Sequence, residues 1–200
     1  MSKLKLLFAA AIALVAFAAF ASSASAFRAT VRNGGAISSA SLGKITFGSS
    51  PTIQCSLTLN GSLRTSAELV ANETIGSITE VRITSCSGGS VERVLSLPWT
   101  LTVKSIGGTL PDSATSLSMN IVGSAFNLST FFEIVNCLYA GTSGGILSLN
   151  DTGTDTYTTG LIRADETIRL PFRRGSEACP AEGEFKGTFG LSPQQSITVS

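Results

Sequence analysis

Apolar and polar residues alternate at period two along most of this chain, and each alternating run marks a strand with one buried face. Ile53, Cys55, Leu57 and Leu59 alternate with Gln54, Ser56 and Thr58, and Asn60-Gly61 follows as a turn signal. Val81 and Ile83 alternate with Arg82 and Thr84. Leu95, Leu97, Trp99, Leu101 and Val103 form the longest stripe, with Pro98 on its polar side. Shorter stripes are Leu117/Met119/Ile121, Ile168/Leu170/Phe172, Phe185/Phe189/Leu191 and Ile197/Val199. Gly88-Gly89, Gly107-Gly108, Gly144-Gly145 and Asn150 to Gly153 read as turns between them. Ser66 to Asn72 has room for a helical turn or two and no more. Proline cannot donate to a ladder, so the strands holding Pro98 and Pro171 should be edges or carry bulges. About ten short strands with glycine punctuation predict an all-β fold: an antiparallel β-sandwich, with a closed β-barrel as the alternative.

The first residues follow a different rule. Lys3 and Lys5 precede an unbroken apolar run from Leu6 to Ala21, and Ala24-Ser25-Ala26 offers small residues where a signal peptidase reads. Residues 1–26 are therefore expected to be a signal peptide that is removed, leaving residues 27–200 as a single all-β domain. Taking 26 of the 200 residues away leaves 174, enough for a sizeable core. The expected location is secreted, outside the cell. Losing the two leader lysines turns 14 basic against 13 acidic side chains into 12 against 13, a net charge of −1. Such a balance gives no electrostatic footprint for nucleic acid. Arg169, Arg173 and Arg174, with Glu177, Glu182 and Glu184 close behind, read as a solvated strand face. After the leader no apolar run reaches the ~18 residues of a transmembrane helix. Leu97-Pro98-Trp99-Thr100 resembles a wall-sorting signal, but Leu101 follows where glycine is required, with no hydrophobic tail.

An exported chain oxidises its thiols, so Cys55, Cys86, Cys137 and Cys179 are expected to form disulfides. Three pairings are open. Cys55–Cys86 with Cys137–Cys179 is favoured, because each closes one local β excursion. Metal binding is a poor alternative: no two cysteines stand close enough for a zinc knuckle, and the chain contains no histidine. No metal or other cofactor is expected.

The run Ile53-Gln54-Cys55-Ser56-Leu57-Thr58-Leu59-Asn60-Gly61-Ser62, then Ile78-Thr79 leading to Cys86, then Leu97-Pro98-Trp99, resembles the secreted alkane-oxidation activator family, PraB-like, over residues 53–103. Cys179-Pro180 before a glycine-punctuated strand is a looser echo. The resemblance implies a small extracellular protein linked to growth on hydrophobic substrates. It carries no catalytic residues across.

Absence of histidine removes the commonest general base and the usual hydrolase triads, and no Gly-x-Ser-x-Gly elbow appears. Asp151-Thr152-Gly153 matches the aspartic-protease triplet, which in a single copy would need a symmetric dimer. Asn150 stands where that motif has a hydrophobic strand, so an ordinary polar turn is the preferred reading. Asp151 and Asp155 could offer oxygens to calcium, but the full loop spacing is missing. Asn60, Asn72, Asn127 and Asn150 each begin a glycosylation triplet, as chance provides in so Ser/Thr-rich a chain. Trp99 reads first as core and second as a stacking platform for a ligand. Phe131 and Phe132 point to opposite faces of one strand and are the other candidate ligand contacts.

These residues predict a non-catalytic binding or structural protein acting at the cell surface or a hydrophobic interface. Its expected partners are the cell surface, matrix or a second copy, reached through polar, weakly charged strands such as Thr156 to Ile162. Two alternatives stand beside it: a small-ligand carrier with an apolar cavity lined by Trp99 and inward phenylalanines, and an aspartic-protease-like enzyme using Asp151 in a dimer.

Overall fold

The computed structural model describes residues 29–47, 52–109, 113–130, 135–151, 156–164 and 169–199. These contain no helix and twelve strands, all antiparallel. In chain order they are β1 (Ala29–Val31), β2 (Gly35–Ser41), β3 (Ile45–Phe47), β4 (Ile53–Leu63), β5 (Thr74–Ser87) and β6 (Gly89–Leu95). The second half holds β7 (Trp99–Thr109), β8 (Ser113–Thr130), β9 (Asn136–Asp151), β10 (Thr156–Ala164), β11 (Arg169–Gly175) and β12 (Glu182–Val199).

The pairings run β12–β2–β4–β5–β7–β8–β9–β10 and return to β12, so the sheet folds over and closes a circuit of hydrogen bonds. This all-β, disulfide-stapled fold is the expected class, with the layers joined at their edges rather than left open. Alternation explains why one core suffices. Ile53, Cys55, Leu57 and Leu59 of β4 are buried while Gln54 is exposed. Leu117, Met119 and Ile121 of β8 and Phe185, Phe189 and Leu191 of β12 face the same interior. Rings from distant strands meet there: Phe126 of β8 lies 5.1 Å from both Phe47 of β3 and Trp99 of β7, and 5.5 Å from Phe185 of β12. Edge-on and offset contacts of this kind add to burial.

Cys55 is bonded to Cys86, tying β4 to β5, and Cys137 to Cys179, tying β9 to the loop before β12. Among the described residues no cysteine is free.

Several local expectations are corrected. Asn60-Gly61 is no turn: β4 runs through it to Leu63, and the pairing with β5 shifts register there. A Cβ on Gly61 would overlap the carbonyl oxygen of Ser77, so the glycine serves close backbone approach at a bulge. Gly107-Gly108 likewise sits inside β7 at a register shift, and Gly144-Gly145 inside β9 opposite Asn120 and Met119. The stripe from Leu95 to Val103 is two strands, because β6 ends at Leu95 and β7 starts at Trp99. Ser96-Leu97-Pro98 turns the chain between them, which takes Pro98 out of any ladder and leaves Leu97 exposed. Pro171 pairs opposite Glu182, next to a bulge in β11. The open edge expected at Thr156 to Ile162 does not exist, since β10 pairs with β9 on one side and β12 on the other.

Unpaired backbone lies elsewhere. Beyond the Ile78–Trp99 pair, the rest of β5 bonds to β4 alone, and β6 bonds to β8 alone. The two strands form no ladder with each other after Gly88, and Val81, Ile83, Val91 and Val94 on them are half-buried.

Candidate functional site

Among the described residues a ligand could be received in the interior, or on the outer face of the sheet where β6, β8, β9 and β11 lie side by side. Inside, Trp99 is 1% exposed and its indole Nε1 donates to the Leu95 carbonyl at 2.8 Å. It is wedged against Phe126 and offers no free stacking face to solvent. Ile37, Leu59, Leu101, Met119, Phe189 and Leu191 line a cavity of about 40 Å³, with the Ser39 hydroxyl the polar atom that meets no partner there. A site for a drug-sized molecule occupies roughly 300–1,000 Å³, so this space is too small for such a ligand. Phe131, Phe132 and the Thr152–Asp155 segment lie outside the described residues. Asp151 ends β9, paired opposite Tyr157.

The outer face is different. On β8 and β9 the residues alternate, with Phe126 and Tyr139 inward and Asn127 and Leu138 outward. Register then builds a transverse row. Arg93 of β6 pairs opposite Asn127, Asn127 opposite Leu138, and Leu138 opposite Arg174 of β11. Each arginine follows a bulge, in which Glu92 and Arg173 are the extra residues. Bulges re-aim side chains, and these two tilt the flanks of the row. The result is an open groove of about 420 Å³, lined by Arg93, Leu95, Asn127, Leu138 and Arg174, with Asn136, Gly175 and Ser176 at its end.

Its electrostatics are one-signed. Arg93 and Arg174 make no ion pair or hydrogen bond with a described residue, while Arg64 and Arg82 are paired with Glu73 and Glu80. Arg173, the sequence neighbour of Arg174, donates to the Ala140 carbonyl at 3.2 Å. Three steps across the sheet separate the ends of the row, roughly 14 Å between backbones. The reading of Arg169, Arg173 and Arg174 as one face is thus divided: Arg174 joins an arginine from β6. No sequence signal linked Arg93, Asn127 and Leu138 to it, because the row exists only in the register of four strands.

Other polar groups are committed to structure. Asn60 accepts from Ser38 Oγ and donates Nδ2 to Glu80, both at 2.7 Å. That amide bond, then Arg82, holds the Glu80 carboxyl below the ordinary carboxylate range. Tyr139, buried under β12, donates to the Pro180 carbonyl at 3.2 Å, and burial pushes its phenol above the usual value. Among the described residues no group of histidine, cysteine or acidic side chains could hold a metal ion, and no helix is long and apolar enough to cross a membrane.

A family model described as alkane oxidation protein activator PraA/PraB-like matches residues 1–199. The chain belongs to that family. No curated protein and no solved structure matches it. The family match reaches far beyond the 53–103 span whose motifs first suggested it. Those motif residues do structural work: Cys55 and Cys86 bridge β4 and β5, and Trp99 opens β7 opposite Ile78.

Proposed function

We propose that this family member is an exported, non-catalytic accessory protein that acts through its outer surface, at the cell exterior or a hydrophobic interface. In this reading residues 1–26 are cleaved and residues 27–200 form the working domain. The observation that carries it is a contrast in space: a core cavity beside Phe189 of about 40 Å³, against an open groove of about 420 Å³ on the outer face. This contrast favours contact through the sheet's outer face. The family description supports an accessory role in alkane oxidation, and two disulfides suit an oxidising compartment.

Expression in an exporting host, followed by N-terminal sequencing and fractionation, tests the reading. The mature chain is expected to begin at Phe27 and to distribute to cell surfaces, matrix or an oil–water interface. A strictly aqueous monomer that ignores cells and hydrocarbon droplets would sink it.

A further inference from the structure

We propose that the groove between Arg93 and Arg174 is a binding site for an acidic oligosaccharide, a chain of uronate-type sugars laid across β6, β8, β9 and β11. This rests on the reading of the protein as an outward-facing binder and names what one face of it takes. Three features of the groove select the ligand class. Two guanidiniums without a carboxylate partner among the described residues stand at opposite flanks, and arginine presents a planar fork that matches carboxylate bidentately. Asn127 between them and Asn136 at the groove's end bring amide groups able both to donate and to accept, as hydroxyl-bearing rings require. The floor is Leu95 and Leu138, each half-buried, an apolar strip against which a sugar's C–H face can rest.

Shape decides against the simpler anions. A single small anion would engage one flank, leaving the other arginine unused across roughly 14 Å of sheet. A fatty carboxylate needs an apolar tunnel for its tail, and the interior cavity of about 40 Å³ cannot supply one. An extended polymer with carboxylates at intervals satisfies both arginines at once and enters a groove open along its length.

The test is titration of the folded mature protein with a short oligogalacturonate, followed by calorimetry or fluorescence polarisation, with galacturonate monomer and neutral dextran alongside. Oligogalacturonate is expected to bind, the monomer far more weakly and dextran not at all. Arg93→Ala and Arg174→Ala should each weaken binding about tenfold or more, as loss of a charge-assisted hydrogen bond does. Arg32→Ala, exposed beside Ser196 near the end of β12 while the groove's β11 pairs with the start of that strand, should leave it unchanged. Far-ultraviolet circular dichroism of each variant guards against misfolding. Binding that all three arginine variants weaken equally would reflect general charge attraction and overturn the proposal. Equal affinity for dextran would overturn it, as would capture of anionic phospholipid vesicles without capture of the oligosaccharide. A protein that still collects at cell surfaces or oil droplets but ignores oligogalacturonate refutes this site while leaving the broader reading in place.

Discussion

At the scale of single residues, Tyr139 shows how burial and a hydrogen bond can be separated by experiment. Its ring lies over Gly183, where an added Cβ would stand 2.8 Å from ring carbon, and its edge faces Phe172 at 6.1 Å. Above about pH 10.0 an unfolded tyrosine loses its proton while the buried phenol keeps it. The unfolded state then binds fewer protons, so stability falls as pH rises until the folded group titrates too. Tyr139→Phe should abolish that alkaline decline and at neutral pH cost about 0.5–1.5 kcal/mol for the bond to Pro180. Denaturant titrations at neutral and alkaline pH check both halves; an undiminished alkaline decline would place its origin elsewhere. Trp99 makes the complementary case. Truncation to alanine removes a ring packed against Phe126 together with the Nε1 bond to Leu95, and should cost about 3–5 kcal/mol in the same titration.

At the scale of elements, strands were legible in the sequence wherever one face is buried, because the alternation is then written residue by residue, as in Ile53 to Leu59. Glycine was read less well. Gly61, Gly107 and Gly144 look like turns to local chemistry, yet all three sit inside long strands, the first two where the register slips. Only tertiary pairing distinguishes the two uses. Gly61→Ala should therefore destabilise by more than about 1 kcal/mol, since the obstruction is the Ser77 carbonyl. Gly190→Ala meets only the end of Leu42 at 3.4 Å and should stay within about 0.5 kcal/mol of the parent. The groove was illegible for a related reason: Arg93 and Arg174 are brought to one row by four strands and two bulges, and nothing near either residue announces the other. Disulfide pairing was within reach, because both bridges close local excursions of 31 and 42 residues. Loops of that length correspond to about 3.5–4 kcal/mol each in the chain-entropy model. Replacing either cysteine pair by alanine should lower unfolding free energy by that order in chemical denaturation; a loss below about 1 kcal/mol would mean the unfolded chain is already compact without the bridge.

For the whole molecule the closing strand is decisive. β12 pairs with β1, β2, β3, β10 and β11, so the last strand of the chain joins its first three and completes the circuit. It also brings Phe185, Phe189, Leu191 and Ile197 into the core. Without it, five strands would lose a ladder partner at once and the apolar face of β2 and β4 would stand open to water. Unpaired backbone and exposed apolar surface are each costly, and marginal folds do not absorb several such losses together. A chain ending at Ala181 should therefore fail to fold, instead of leaving a smaller stable domain. The expected signs are lost cooperative unfolding, rapid proteolysis across β2 to β5 and aggregation through the freed edges. Supplying residues 182–199 as a separate peptide should restore protease resistance if the remaining strands can assemble around it. A truncated chain that unfolds cooperatively and stays monomeric would show that the circuit need not close for the fold to hold.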